Sequence, residues 1–308
     1  MSNELKQSES GTSYTRKDVY EQVTNVIIEQ LEKGVIPWQQ CWKGDNSILG
    51  LPKNVVSGKN YQGINIVLLW CASLKHEYKS AEWATFKQWH EKKETIRKGE
   101  KGNLIVYYDT FEKEVEGEIK KIPFLKSSIV FNRCQLASYT KEIPEQEVSN
   151  SLLVDKIDPL DEFIGNLDAL IVHRNGGACY MPSTDTIYMP FPEMFQNTPT
   201  CTATEGYYST LLHELVHWTG KSTRMNRNGG KKFGDKNYAS EELVAELGAA
   251  FLCSDFGIAT IEKGDHAGYI AHWLEVLKEN KHCLIAAASE ASKAVKYMHD
   301  LEAFTIDA

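Results

Sequence analysis

The chain is 308 residues and 34.9 kDa, with 34 Lys+Arg against 42 Asp+Glu and a formal net charge of −8. Hydrophobic residues at 42 % and charged residues at 25 % are ordinary for a globular protein, and 11 Phe, 7 Trp and 14 Tyr exclude a solvated coil. The longest apolar run, Leu247–Cys253, is far short of the ~20 residues a membrane span needs. Met1–Tyr14 is polar and lacks the apolar segment of a signal peptide. Seven scattered cysteines, none spaced C-x-x-C, read as reduced thiols of a cytoplasmic protein.

In chain order, residues 1–15 read as a disordered tail, and Thr15 is placed to cap a helix through Lys33 that stops at Gly34. Its apolar positions Val19, Val23, Val26, Ile27 and Leu31 recur at three and four. Pro37 forces an extended exit that carries Trp38 and Trp42. Ser80 is placed to cap a helix over Ala81–Lys93. Leu104–Thr110 and Ser128–Phe131 read as strands, with a hairpin near Glu116-Gly117.

The polar stretch 141–151, broken by Pro144, reads as a linker between a first domain (16–140) and a second (152–308), either long enough for its own core. In the second, Ala169–Val172, Ala178–Met181 and Thr186–Met189 read as short strands. Thr202 and Glu205 form a T-x-x-E capping box opening a helix that ends at Gly220. Another helix runs from Ser240 through Ser254, and two more cover His266–Glu279 and Lys281–Leu301. The fold class expected is α+β in two domains.

The charge is uneven. Residues 1–140 carry 20 basic and 17 acidic residues, whereas 141–308 carry 14 and 25. Such a split suits a nucleic-acid-facing half joined to a half that does something else, although a net of +3 is also what an ordinary solvated surface carries.

The sharpest chemical signal is His213-Glu214-Leu215-Val216-His217, an H-E-x-x-H on an expected helix. At ~100° per residue the two imidazoles lie within ~40° of each other, so one metal ion can take both. Glu214 is then placed to act as general base toward water at the metal, while Leu211, Leu212, Leu215, Val216 and Trp218 fill the apolar arc. Catalytic zinc needs a third protein ligand. Twenty-five residues beyond His217, Glu242 and Glu246 share a helix face at i, i+4. This resembles the E-x-x-x-D of gluzincin metallopeptidases, which implies Glu242 as ligand and Glu246 beside a ligand histidine; the exchanged assignment, with Glu246 as ligand, also satisfies the spacing. Glu241 suits a solvated helix start. The small residues Ala245, Gly248, Ala249 and Ala250 let this helix approach the histidine helix closely. One Zn2+ per chain is expected, other divalent metals being able to occupy the same ligands. Ala178–Met189 is a candidate edge strand for an extended peptide, and Tyr180, Tyr188 and His173 are candidate oxyanion donors.

In the first half, aromatics lie among cations, a pattern that suits stacking of single-stranded bases with amines along the phosphates, though tryptophans also build cores. The run Asp18–Trp42, Pro52-Lys53-Asn54 and Tyr61-Gln62-Gly63-Ile64-Asn65 resembles ArdC-type antirestriction proteins. So do Trp83–Gln88, Arg97–Gly102, Val130-Phe131-Asn132, Asp185–Pro190, His213–Gly220 and Glu241–Cys253, in consistent order. The resemblance implies a single-stranded-DNA-binding domain joined to a zincin-like metallopeptidase domain, in proteins of conjugative plasmids that shield incoming DNA from restriction. It makes Trp38, Trp42, Lys53, Tyr61, Trp83, Lys87, Lys98 and Lys101 candidate DNA contacts. A host restriction component or another protein becomes a candidate substrate.

Overall fold

The computed structural model describes residues 18–39, 50–115, 118–140, 154–198, 201–227, 236–260 and 266–306. Helix α1 (Val19–Glu32) is capped by Asp18, whose Oδ1 accepts from the Tyr20 N–H at 3.0 Å, and it buries Val23, Ile27 and Leu31. Thr15, the tail and the expected linker lie outside the described residues.

The first sheet has the order β1 (Lys53–Asn54), β2 (Glu82–Ala84), β4 (Glu118–Asn132), β3 (Asn103–Val115). β1 and β2 are parallel, joined through α2 (Ile64–His76), and the other pairs are antiparallel. The β3–β4 register runs to Val115 opposite Glu118; Glu116 and Gly117 lie outside the described residues.

The expected helix over Ala81–Lys93 is corrected. Trp83 and Ala84 are extended and pair with Asn132 and Phe131. Only then does a short helix, α3 (Phe86–Glu91), begin, at a Thr85/Gln88 capping box. A sheet partner more than 40 residues away outweighs local helical pattern here, because Trp83 is wholly buried against that sheet.

Beyond α4 (Asp158–Gly165), a three-stranded sheet has the order β5 (Leu170–His173), β7 (Thr186–Met189), β6 (Cys179–Met181). β5 is parallel and β6 antiparallel to β7, which leaves β6 on an edge. Four helices follow: α5 (Ala203–Thr219), α6 (Lys236–Phe256), α7 (His266–Glu279) and α8 (Cys283–Ile306). The Thr202/Glu205 box opens α5 reciprocally: Thr202 Oγ1 accepts from the Glu205 N–H at 3.2 Å, and Glu205 Oε2 from the Thr202 N–H at 2.9 Å. No helix among the described residues is long and apolar enough to cross a membrane.

The two halves are joined by one hydrophobic core. Val23, Ile27, Leu31, Trp38 and six residues of α2 (Ile64, Ile66, Val67, Leu68, Trp70 and Cys71) belong to the same buried cluster as Leu211, Leu212, Leu215 and Val216 of α5 and buried residues within Leu243–Cys253 of α6 and Ala287–Met298 of α8. At the start of α2, Gly63 (φ +59°) donates its N–H to Ser292 Oγ of α8 at 2.7 Å. Two smaller clusters sit in the first half, one around Trp83 and Val130, the other around Trp89 and Leu136.

Helices α5 and α6 touch at Gly248. A Cβ built there would lie 2.7 Å from Cγ2 of the buried Val216, closer than two carbons can approach. Gly248→Ala is therefore expected to destabilise the protein by about 1–3 kcal/mol through overpacking, although alanine is the better helix former. Chemical denaturation measures this; a stability gain would show that the helices can move apart freely.

Candidate metal centre

α5 presents His213 and His217 one turn apart, with their Nε2 atoms 3.2 Å from each other and the rings at 80°. From α6, Glu242 places Oε2 3.6 Å from His213 Nε2 and Oε1 3.4 Å from His217 Nε2. Four tetrahedral ligands at ~2.0–2.1 Å from an ion lie about 3.3 Å from one another. The His213–His217 edge matches that spacing, and Glu242 turns one carboxylate oxygen toward each imidazole at close to it, so the residues fit a divalent cation. Among the described residues they form the one His/Cys/Asp/Glu cluster whose ligand atoms converge, all within 4.8 Å.

Behind the triangle stands Glu241, its Oε1 3.5 Å from His217 Nδ1. Arg227 clamps the same carboxylate, at 2.9 Å through Nη2 and 3.2 Å through Nε, while donating to the Val216 carbonyl and Thr219 hydroxyl at the end of α5. From the sequence, Glu241 is expected at a solvated helix start. α6 begins five residues earlier, at Lys236, so Glu241 is already inside the helix and turned toward α5. Arg227 carries no local signal, being in the connection after α5. Glu246 lies elsewhere in the cleft: it is 7 % exposed and its Oε2 accepts from the Trp38 indole at 3.3 Å.

Glu214 is buried, and its Oε2 accepts the backbone N–H of Tyr180, on edge strand β6, at 2.7 Å. A cleft of about 340 Å³ opens beside it, lined by His213, Glu214, Glu246, Trp38, Gln39 and Ala178 among others. The Tyr180 hydroxyl donates to Asp185 at 2.9 Å and accepts from Arg224 at 3.1 Å, Tyr188 stacks under Arg174, and His173 bonds the Tyr207 hydroxyl at 2.9 Å.

The site is strongly acidic for its two imidazoles. Burial would lower the His217 pKa, but Glu241, Glu242 and Glu214 outweigh it and push it up to about 9. Burial likewise favours neutral Glu242, yet His213 and His217 hold its carboxyl well below the usual carboxylate range.

Of the candidate DNA contacts, two are corrected. Trp83 is 0 % and Trp38 1 % exposed, so neither ring is open to a base. Trp83 is a core residue of the first half, and the Trp38 indole is 3.3 Å from Glu246 and 3.2 Å from the Tyr269 hydroxyl. Tyr61 is half-buried and accepts from Asn54 at 3.3 Å. Lys53, Lys87, Lys98 and Lys101 are exposed, and Trp42 lies outside the described residues. An exposed ring that sequence reasoning missed is Phe86, 63 % exposed, edge-on to Phe131 at 6.5 Å. Ile129, 48 % exposed, lies two residues from Phe131 on the same face of β4. A phenylalanine at a helix start reads equally well as core, so pattern alone does not reveal it.

In metal-free protein, His217 gains stability from its proton: the raised pKa makes this contribution complete below about pH 6.5, and it is lost as pH rises through about 9. Melting curves with excess chelator should therefore fall in Tm across that window. With a divalent cation in place of the proton, the fall should disappear; a decline of equal size with and without metal would refute the pairing.

Residues 17–131 match the N-terminal domain of anti-restriction factor ArdC, and residues 158–290 match a zincin-like metallopeptidase domain. The metal-free crystal structure of the antirestriction protein ArdC from plasmid R388 is similar, with a TM-score of 0.77 and 36 % identity, over 93 % of this chain and 98 % of that one. Its Mn(II)-bound form gives 0.75 and 34 % over the same shares. Protein y4eC of Sinorhizobium fredii is 34 % identical over 94 % of each chain. Two DNA primases TraC of Escherichia coli are 30 % and 31 % identical over 92 % and 90 % of this chain, which spans only 20 % and 27 % of their lengths. With both halves matched in order and the relatives of similar length covered almost end to end, the chain belongs to the ArdC antirestriction family.

Proposed function

We propose that this protein binds single-stranded DNA through its first half and is a zinc-dependent peptidase through its second, acting in the cytoplasm in antirestriction during DNA entry. The observation that carries the peptidase reading is the triangle of His213, His217 and Glu242 with buried Glu214 on the cleft beside it. His213, His217 and Glu242 would hold the cation, zinc being the usual occupant of a His2Glu set and the Mn(II)-bound relative supporting a divalent ion. A cation so held supplies Lewis acidity, polarising a carbonyl and making water a stronger acid.

Glu214 is the general base: it takes a proton from the attacking water and returns it to the leaving amine. Its bond to the Tyr180 N–H ties the carboxylate to β6, so base and substrate-binding edge are held in register. An extended peptide adds to that edge as a further strand, and Ala178 at its start faces the cleft. The substrate is a protein segment, a host restriction component being the kind the antirestriction role calls for.

For DNA, Phe86 with Phe131 and Ile129 makes the stacking surface, and Lys87, Lys98 and Lys101 follow phosphates. The relatives from plasmid R388 and the TraC primases support a role on a mobile element.

Metal analysis of purified protein should find about one divalent ion per chain, lost in His217→Ala and Glu242→Ala. Glu214→Gln should keep the ion and lose peptide cleavage by roughly 10²-fold or more. Wild type without metal after growth in added zinc would reject the peptidase. Separately, Phe86→Ala should weaken binding of a labelled oligonucleotide about tenfold at unchanged Tm. Trp83→Ala should instead cost about 3–5 kcal/mol of stability. Full oligonucleotide affinity in Phe86→Ala would remove this surface from consideration.

A further inference from the structure

Gln39 is 8 % exposed, and its Oε1 is buried with no hydrogen-bond partner among the described residues. It lines the cleft beside Glu214. Its main chain is fixed from both sides: the N–H donates to the Ile36 carbonyl at 3.0 Å, and the carbonyl accepts from Thr260 Oγ1, just past α6, at 3.1 Å. The preceding residue, Trp38, is anchored on Glu246. Gln39 is thus held at the cleft wall by its main chain and its neighbours rather than by side-chain bonds of its own. An acceptor held in that state has lost water without gaining a donor, which folding disfavours unless the donor arrives with a ligand.

Resting on the peptidase reading above, we propose that Gln39 is a substrate-recognition residue: its carboxamide oxygen accepts a main-chain N–H of an extended peptide lying in the cleft. A chain paired with β6 uses one hydrogen-bonding edge there and presents the N–H groups of its other edge to the facing wall. Tyr180 N–H is already taken by Glu214, so β6 alone holds the peptide incompletely. The nearby lining residues Ala178, Ser209 and Ala249 are small, which leaves room for a peptide main chain to come close to the wall. Gln39 lies in the segment that matches the N-terminal domain, whereas the ligand triangle and Glu214 lie in the metallopeptidase match. The cleft is therefore completed by the first half of the chain.

The test is calorimetric titration of full-length, metal-loaded protein with N-acetyl-trialanyl hydroxamate and with analogues in which one amide N–H at a time is replaced by an ester oxygen. In wild type, one ester should weaken binding about tenfold; in Gln39→Met that same replacement should cost under about twofold, the parent compound itself binding about tenfold more weakly. Gln39→Met should keep its metal and show an unchanged or higher Tm, since the orphaned acceptor is gone; Gln39→Leu serves as a second variant with the same expectation. An ester profile identical in wild type and both variants overturns the role of Gln39 alone. A lowered Tm in both variants also overturns it, assigning the residue to the fold. A metal-loaded wild type that binds no hydroxamate rejects the peptidase reading and this proposal with it.

Discussion

The contact between α5 and α6 is the constraint on which the centre depends. The two imidazoles come from one helix and the carboxylate from the other, and a glutamate is short, so the helices must nearly touch for a single ion to meet all three. Val216 against Gly248 sets that distance. A glycine inside a helix gives up about 1 kcal/mol relative to alanine, and here it is offset by a geometry that no larger residue permits. Arg227 fastens the same pair from the rear, donating to the Val216 carbonyl and Thr219 hydroxyl near the end of α5 and to the Glu241 carboxylate at once.

Charge follows from this packing. Glu214, Glu241 and Glu242 surround two imidazoles, and burial weakens the screening that water would provide. Arg227 faces Glu241, away from the triangle, so it neutralises the supporting acid without competing for the position between the ligands. Without an ion the imbalance is met by a proton on His217. The opposition of proton and cation at one place is what makes the centre both stable and selective for positive charge.

The first half contributes more to this cleft than a separate DNA-binding module would. Its helices α1 and α2 lie in the core that holds α5, α6 and α8, and Trp38 reaches Glu246 at the cleft wall. The tryptophans that suggested base stacking are mostly packing residues, because a large ring gains most when wholly removed from water. Phe86 remains outside because the short α3 buries Trp89 and leaves its first residue facing solvent.

The features legible in the residues alone are local and periodic. The His213–His217 spacing, the Thr202/Glu205 box, α1, α7 and the short strands β5 to β7 depend on neighbours within a turn or on alternation along a strand, so they could be read from the residues directly. Helix α2 escaped because nine of its thirteen residues are buried, leaving no polar face to mark a period. The extended β2, the inward turn of Glu241, the burial of Trp38 and Trp83 and the placement of Gln39 were decided by tertiary structure alone. Each depends on a partner tens to hundreds of residues away, and which ring is core, or which acid faces a histidine, is fixed only when those surfaces meet.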